Sequence, residues 1–146
     1  MALDAYKELE AVHYGPYCAR ILLDSCKPPL KESVHIHWHD RMELLRIREG
    51  SMTMQIGLER VETKAGQLAV ICPRQIHSGT AGPEGVVYDV IMFEPEQLCS
   101  QTPAWADYLK PIADGEVLFP PMTDQPELLA IADRLLAQYR CRETIN

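Results

Sequence analysis

No apolar stretch in this 146-residue chain approaches the ~18 residues that a helix needs to cross a bilayer, so no membrane-spanning helix is expected. The N-terminus, MALDAYKELE, lacks the basic region and following apolar run of a secretory signal. C-x-x-C pairs are missing, and the five cysteines, Cys18, Cys26, Cys72, Cys99 and Cys141, are odd in number and scattered. Neither a disulfide framework nor a zinc–thiolate site is expected; the pattern reads as reduced thiols in a cytoplasmic protein. Internal repeats and low-complexity tracts are also absent. Basic charge is scarce: 14 Lys and Arg stand against 21 Asp and Glu, for a formal net charge of -7. An acidic surface repels phosphate, so these residues are not expected to grip nucleic acid by themselves.

The remainder fits one domain. Apolar residues make up 47% and charged residues 24%, the balance of an ordinary globular protein. A chain of this length can bury roughly 70% of its unfolded surface. Its texture changes near Pro95. Before that point apolar residues recur with period two and Gly marks the turns; after it come helical spacings. Strands first and helices afterwards predict one β unit, a sandwich or barrel, with a helical appendage.

The first strand is expected at 18–24, closed by Lys27-Pro28-Pro29, because Pro cannot donate to a sheet ladder. Residues 34–39 alternate strictly and put His35, His37 and His39 on one face, with Val34, Ile36 and Trp38 on the other. In 43–49, Glu43, Leu45 and Ile47 share a face opposite Arg46 and Arg48. The arginines belong in water, which makes Glu43 an inward carboxylate. Gly50-Ser51 reads as a tight hairpin turn. Beyond it Met52, Met54 and Ile56 point inward, then Gly57 and Lys64-Ala65-Gly66 turn the chain on either side of a weak strand at 59–63. Strands are expected again at 67–72 and 86–94, with His77 at the start of a strand. Past Pro95, a short helix is expected at 104–110, a short strand at 116–119 and a long helix at 125–140. Asp124 is its expected N-cap and Glu127 completes a capping box. Leu128, Ile131, Ala132, Leu135, Leu136 and Tyr139 make its apolar stripe, which either covers the barrel or builds a seam with a partner chain. An amphipathic helix that runs out without a Gly or Pro stop suits an interface element or a longer native chain.

The chemistry concentrates at His37-x-His39. Two imidazoles two residues apart on a strand stand ~6.5–7 Å apart and can converge on one ion. Glu43 lies four residues on, and closing a barrel could bring His77 to the same place. Three neutral nitrogens and one carboxylate suit Zn, Fe, Mn, Ni or Cu. The bland alternative is that these side chains line a pocket and hydrogen-bond to one another or to a ligand. His35 lies a step further along, and His13 sits outside any motif. Met52 and Met54 read as core or pocket lining, Tyr88 as core or pocket wall, and Cys72 as a buried apolar filler. Trp38 faces away from the histidines and is suited to pack under the N-terminal segment or the helices.

The stretch HWHDRMELLRIREG, from His37 to Gly50, has the form H-x-H-x3-E-x6-G. It resembles the first motif of the cupin β-barrels, and Gly66, Pro73 and His77 follow in the order of the second. Lys31 replaces the glycine usual six positions before His37, and Ala81 stands where Asn is common. By this resemblance His37, His39, Glu43 and His77 match the metal-ligand positions of metallocupins. More narrowly, the run from His37 through Gly57, then GQLAVICPRQIH from Gly66 to His77, is similar to the N-terminal domain of AraC-type transcription regulators over about 18–140. That resemblance implies a mainly β, cupin-like double-stranded barrel (jelly roll) followed by C-terminal α-helices. It implies an N-terminal arm (1–17), a barrel (18–98) and a helical appendage for dimerisation (99–146). It also implies a small-molecule effector in the barrel, a homodimer, and contact with DNA only through a separate C-terminal domain outside this chain. The expected effector pocket is His37, His39, Glu43, Met54, His77 and Tyr88, with no catalytic residue assigned. The alternative function is a small metal-dependent cupin enzyme of dioxygenase or isomerase type.

Overall fold

The computed structural model describes residues 4–8 and 19–145, without the side chains of 143–145. Calls on His13, on Cys18 and on arm residues 9–17 lie outside the described residues. Seven strands form one antiparallel sheet: β1 (Ala19–Lys27), β2 (Glu32–His37), β3 (Met42–Ile56), β4 (Glu59–Lys64), β5 (Leu68–Ile71), β6 (His77–Phe93) and β7 (Met122–Thr123). Helices α1 (Pro95–Gln101), α2 (Ala106–Ala113) and α3 (Pro126–Ile145) follow the barrel strands. The order is β1-β6-β3-β5-β7, with β2 also on β6 and β4 also on β3. The two longest strands, β3 and β6, are therefore the spine on which the others pair.

The spine departs from the sequence expectation at one informative place. Gly50-Ser51 is not a hairpin turn; β3 runs straight through it. The inward set switches there from odd positions (Leu45, Ile47) to even ones (Met52, Met54, Ile56), all at most 2% exposed. A tight turn explains that switch, but so does an irregular register, and register shifts are what β3 and β6 show at Ile47/Glu49 and at Gly50/Met52. Gly50 has φ 70°, and a Cβ there would lie 2.0 Å from the Gly85 carbonyl oxygen. Only glycine fits this crossing. The first real hairpin is at Gly57, where Ile56 pairs Glu59 across a two-residue turn.

A second irregularity shapes β2. Its register against β6 shifts between Val34 and His37, and the strand ends at His37 rather than 39. The strict alternation therefore breaks. Val34 joins the interior with Met52 and Met54, His35 and Ile36 face outward, and His37 turns in toward β6, opposite His77. The single face of three histidines does not form.

Two apolar clusters hold the molecule. The interior is filled by β2, β3, β5 and β6 side chains such as Leu45, Met54, Ile71 and Val90; each fully buried aliphatic of this size contributes about 1.5–3 kcal/mol. The outer cluster joins Ile21, Met42, Leu68, Val70 and Ile91 to Ala132 and Leu136 of α3. Helix α3 starts later than expected. The Leu129 N–H bonds to the Gln125 carbonyl, which makes Gln125 rather than Asp124 the capping position. Its apolar stripe splits: Ala132 and Leu136 are buried, whereas Leu128, Ile131 and Leu135 are 44%, 60% and 40% exposed. No strand forms at 116–119; β5 instead pairs with β7 at Met122. The short helix falls at Ala106–Ala113, and α1 was not anticipated.

Arg46 and Arg48 are not a free solvated face. Arg46 grips Asp133 of α3 through Nε at 2.8 Å and a terminal nitrogen at 3.0 Å. Arg48 and Arg140 of α3 converge on Asp24 and Asp89. The apolar seam under α3 is thus flanked by two charge clamps.

Candidate functional site

His37 ends β2, His77 opens β6, and the two pair directly in register. Glu43 is the second residue of β3, inside by the odd parity of that half-strand. His39 lies in the turn between β2 and β3, fixed where its carbonyl accepts the Arg74 N–H at 2.7 Å. One strand end, two strand starts and one turn thus deliver four donors to one end of the barrel. One ligand atom from each of His37, His39, Glu43 and His77 lies within 4.8 Å of all the others. The ring centroids are 4.3–5.3 Å apart.

Each imidazole is oriented from behind. His37 Nδ1 is 2.5 Å from the His35 carbonyl oxygen, His39 Nδ1 is 3.2 Å from that of Arg41, and His77 Nδ1 is 2.8 Å from that of Gln75. A carbonyl only accepts, so each Nδ1 carries a proton, and a ring that holds no second proton presents a bare Nε2 lone pair. Those lone pairs face the site. His39 Nε2 stands 2.8 Å from Glu43 Oε2, and His77 Nε2 is 3.6 Å from the same oxygen. His77 Nε2 is buried without a hydrogen-bond partner. A lone pair against a carboxylate is repulsive unless a proton or a metal cation lies between them. The backing of ligand imidazoles by carbonyls is the arrangement that fixes tautomer and ring angle at metal centres.

The electrostatics agree with that geometry. Burial pushes the Glu43 carboxyl up, but the facing His39 and His77 side chains prevail and hold it well below the usual carboxylate range, as a proton or a cation between the rings and the carboxylate would. Burial drives His37 down, opposed by its bond to the His35 carbonyl and reinforced by the neighbouring His77 and His39, so it stays neutral and available as a ligand.

Of the other expected site residues, Met54 pairs with Gly79, one inward step from the Ile56–His77 pair, and is fully buried in the interior cluster. Tyr88 belongs to the same cluster; its hydroxyl donates to the Ser33 carbonyl at 3.4 Å, and burial with the Glu43 charge raises its pKa. His35 points away and meets Glu32 at 3.0 Å, with a side chain 79% exposed. Asp89 sits on the opposite face under α3.

The N-terminal segment was one of two expected covers for Trp38; the charged collar it makes around the site had not been expected. Residues 4–8 dock on Trp38 through two backbone bonds, Trp38 N–H to Tyr6 and Glu8 N–H to Trp38, both 2.9 Å. Lys7 lies 5.0 Å above the Trp38 ring and 3.5 Å from Asp40. Arg41 is buried between His39 and Glu43 in sequence and forms an ion pair with Glu8. The available signal was a cation placed inside the histidine motif.

Comparison with curated proteins gives no match. Among solved structures, Bacillus subtilis oxalate decarboxylase is similar with a TM-score of 0.50 at 12% identity, over 75% of this chain and 44% of that one. The chain therefore spans less than half the length of that protein. The Schizosaccharomyces pombe Cnp3 cupin domain gives 0.47 at 12% identity, over 57% and 56%. Identity this low speaks to fold alone: a mainly β, cupin-like barrel sheet followed by helices. A family model described as the AraC-like ligand binding domain matches residues 31–145, from before His37 through α3. That span takes in most of the chain, all four clustered donors and the helices, and the chain belongs to the AraC-like ligand-binding domain family.

Proposed function

We propose that this chain is the effector-sensing and dimerisation domain of a transcription regulator, with His37, His39, Glu43 and His77 holding a divalent transition metal and a small-molecule effector bound beside it toward Met54 and Tyr88. The observation that carries the reading is the buried, unpartnered Nε2 of His77, aimed with two other imidazoles at one carboxylate. A dication answers all four donors together and removes the conflict at 2.8 Å. Three nitrogens and one oxygen suit Zn, Mn, Fe, Ni or Cu. When bound, such an ion supplies a Lewis-acidic position for an effector oxygen or nitrogen.

In this reading 1–17 is an arm, 18–98 the barrel and 99–146 the dimerisation helices. Self-association is supported by exposed Leu128, Ile131 and Leu135, beside a cavity of about 390 Å³ that they line with Met42, Leu44 and Phe119. The net charge of -7 fits a reading in which any DNA contact is made by residues other than these. A metal-dependent enzyme is the second reading, favoured by the same donor set. Against it, the buried polar residues among those described, beyond the donors, are Arg41, Thr63 and Asp89, and Asp89 is tied to Arg140 under α3.

The test is to strip the protein with chelator and reload it with each metal singly. At a free metal concentration 100 times Kd, binding adds about 2.7 kcal/mol, which raises Tm by about 8 °C in a chain this size. Small-molecule binding without turnover supports the sensor. Turnover that follows one metal replaces it with the enzyme, and no Tm response to any metal removes the metal from the proposal.

A further inference from the structure

Arg41 is buried beside the histidine cluster with 5% of its surface exposed. A guanidinium in that position is costly unless its donors are met. The pairing is incomplete. A terminal nitrogen is ion-paired with the Glu8 carboxylate, but that Glu8 oxygen and the Arg41 Nε are both buried without a hydrogen-bond partner, and Glu94 is a further carboxylate acting on the guanidinium. Glu43, two residues away, is already engaged by His39. The edge of a guanidinium that carries Nε and one terminal nitrogen is a fork suited to the two oxygens of a carboxylate, and Glu8 engages only one branch.

Glu8 is also a replaceable partner. Its side chain is 30% exposed. It belongs to the short segment 4–8, held by the two backbone bonds at Trp38 and by Lys7 against Trp38 and Asp40. The Glu43 carboxylate is near enough to act on the Arg41 guanidinium, so an occupant of the guanidinium lies near the four-donor cluster.

We infer that Arg41 is the anion anchor of the effector site, that Glu8 competes with the effector for it, and that the effector is therefore a small organic carboxylate. This deepens the effector-site reading and rests on it. A carboxylate seated on both branches satisfies the orphaned Nε, displaces Glu8 and loosens residues 4–8 from Trp38.

The test uses the full chain as wild type, E8Q, R41K and R41M. Acetate and benzoate are the carboxylate probes, benzyl alcohol the neutral counterpart and inorganic phosphate the other oxyanion, titrated by calorimetry. Zn(II) binding is measured in parallel, and hydrogen exchange is followed at the Trp38 and Glu8 amides. Benzoate is expected to bind the wild type and to speed exchange at both amides. E8Q should bind it more tightly and R41M more weakly, each by about tenfold or more, with R41K between and Zn(II) binding unchanged. Equal benzoate affinity in E8Q and wild type overturns the inference, as does a preference for benzyl alcohol or phosphate. If R41M does not fold, E8Q and R41K decide. Zn(II) binding without any carboxylate binding sinks this inference and leaves the metal reading standing. Carboxylate binding that follows Arg41 without Zn(II) binding does the reverse.

Discussion

Replacing Asp89 with Asn should detach the C-terminal half of α3 while leaving the barrel folded. Asp89 is 1% exposed. It accepts the Asp24 N–H at 2.8 Å, takes Arg140 at 3.1 Å on both oxygens and lies 3.2 Å from Arg48 Nε. Asn keeps the shape and one acceptor but removes the charge and turns an NH2 toward a guanidinium. Removing one partner of a fully buried pair costs about 3–5 kcal/mol. Here the arginine side chains are 37% and 39% exposed, and Asp24 remains to share them, so the loss should be about 2–3 kcal/mol. At an unfolding entropy of about 2.1 cal/mol/K per residue, the whole chain gives about 0.3 kcal/mol/K, and Tm should fall by about 7–10 °C. Scanning calorimetry gives the total, and hydrogen exchange gives its distribution, with α3 amides accelerating more than β3 or β6 amides. A Tm change under about 2 °C, or protection lost evenly across barrel and helix, would refute the clamp.

Gly50→Ala combines a left-handed φ with a Cβ 2.0 Å from the Gly85 oxygen, and should cost more than about 3 kcal/mol, read as a collapse of soluble yield and Tm. Glu43→Gln should weaken metal binding by at least about 10–100-fold, whereas His35→Gln, which faces away, should leave it unchanged; equal effects in a metal titration would refute the four-donor site. The carboxyls of Asp24 and Asp133 are held below their ordinary 3.8 by hydrogen bonds from Arg140 and Arg46 respectively. Their stabilisation is complete above that value and is lost as pH falls through the lowered ones. The Tm gap between wild type and Asp133→Asn at pH 5 should therefore close by about pH 2; a gap that widens in acid contradicts the ion pair. Burial raises the Cys72 thiol, with the Phe119 N–H pulling weakly the other way, so a thiol reagent should modify exposed Cys26 and Cys141 in the native protein and reach Cys72 only on unfolding.

Much of the chain was legible because it rests on local regularities. Period-two alternation identified the inward faces of both halves of β3, including Glu43, and turn chemistry located Gly57. The histidine and glutamate spacing picked out the first three donors because a strand end, a turn and a strand start separated by two and four residues can reach one another almost regardless of what surrounds them. The family resemblance added His77, which no local pattern ties to the others.

What the tertiary structure decided was wherever two strands had to agree. The parity switch at Gly50 was visible, but whether a turn or a register shift produced it depends on β6, whose Gly85 oxygen occupies the space over Gly50. The break in β2 that turns His37 in and His35 out likewise comes from pairing with β6. Arg46 and Arg48 looked like a solvated face because their partners, Asp133 for Arg46 and Asp24 and Asp89 for Arg48, are distant in sequence; ion pairs over such separations leave no periodic trace. The direction of each imidazole was set in the same way, by carbonyls that only the folded turn brings behind Nδ1. Spacing can say which side chains meet; the order of donors around a point, and the buried arginine beside them, arise only when separate strands close on one another.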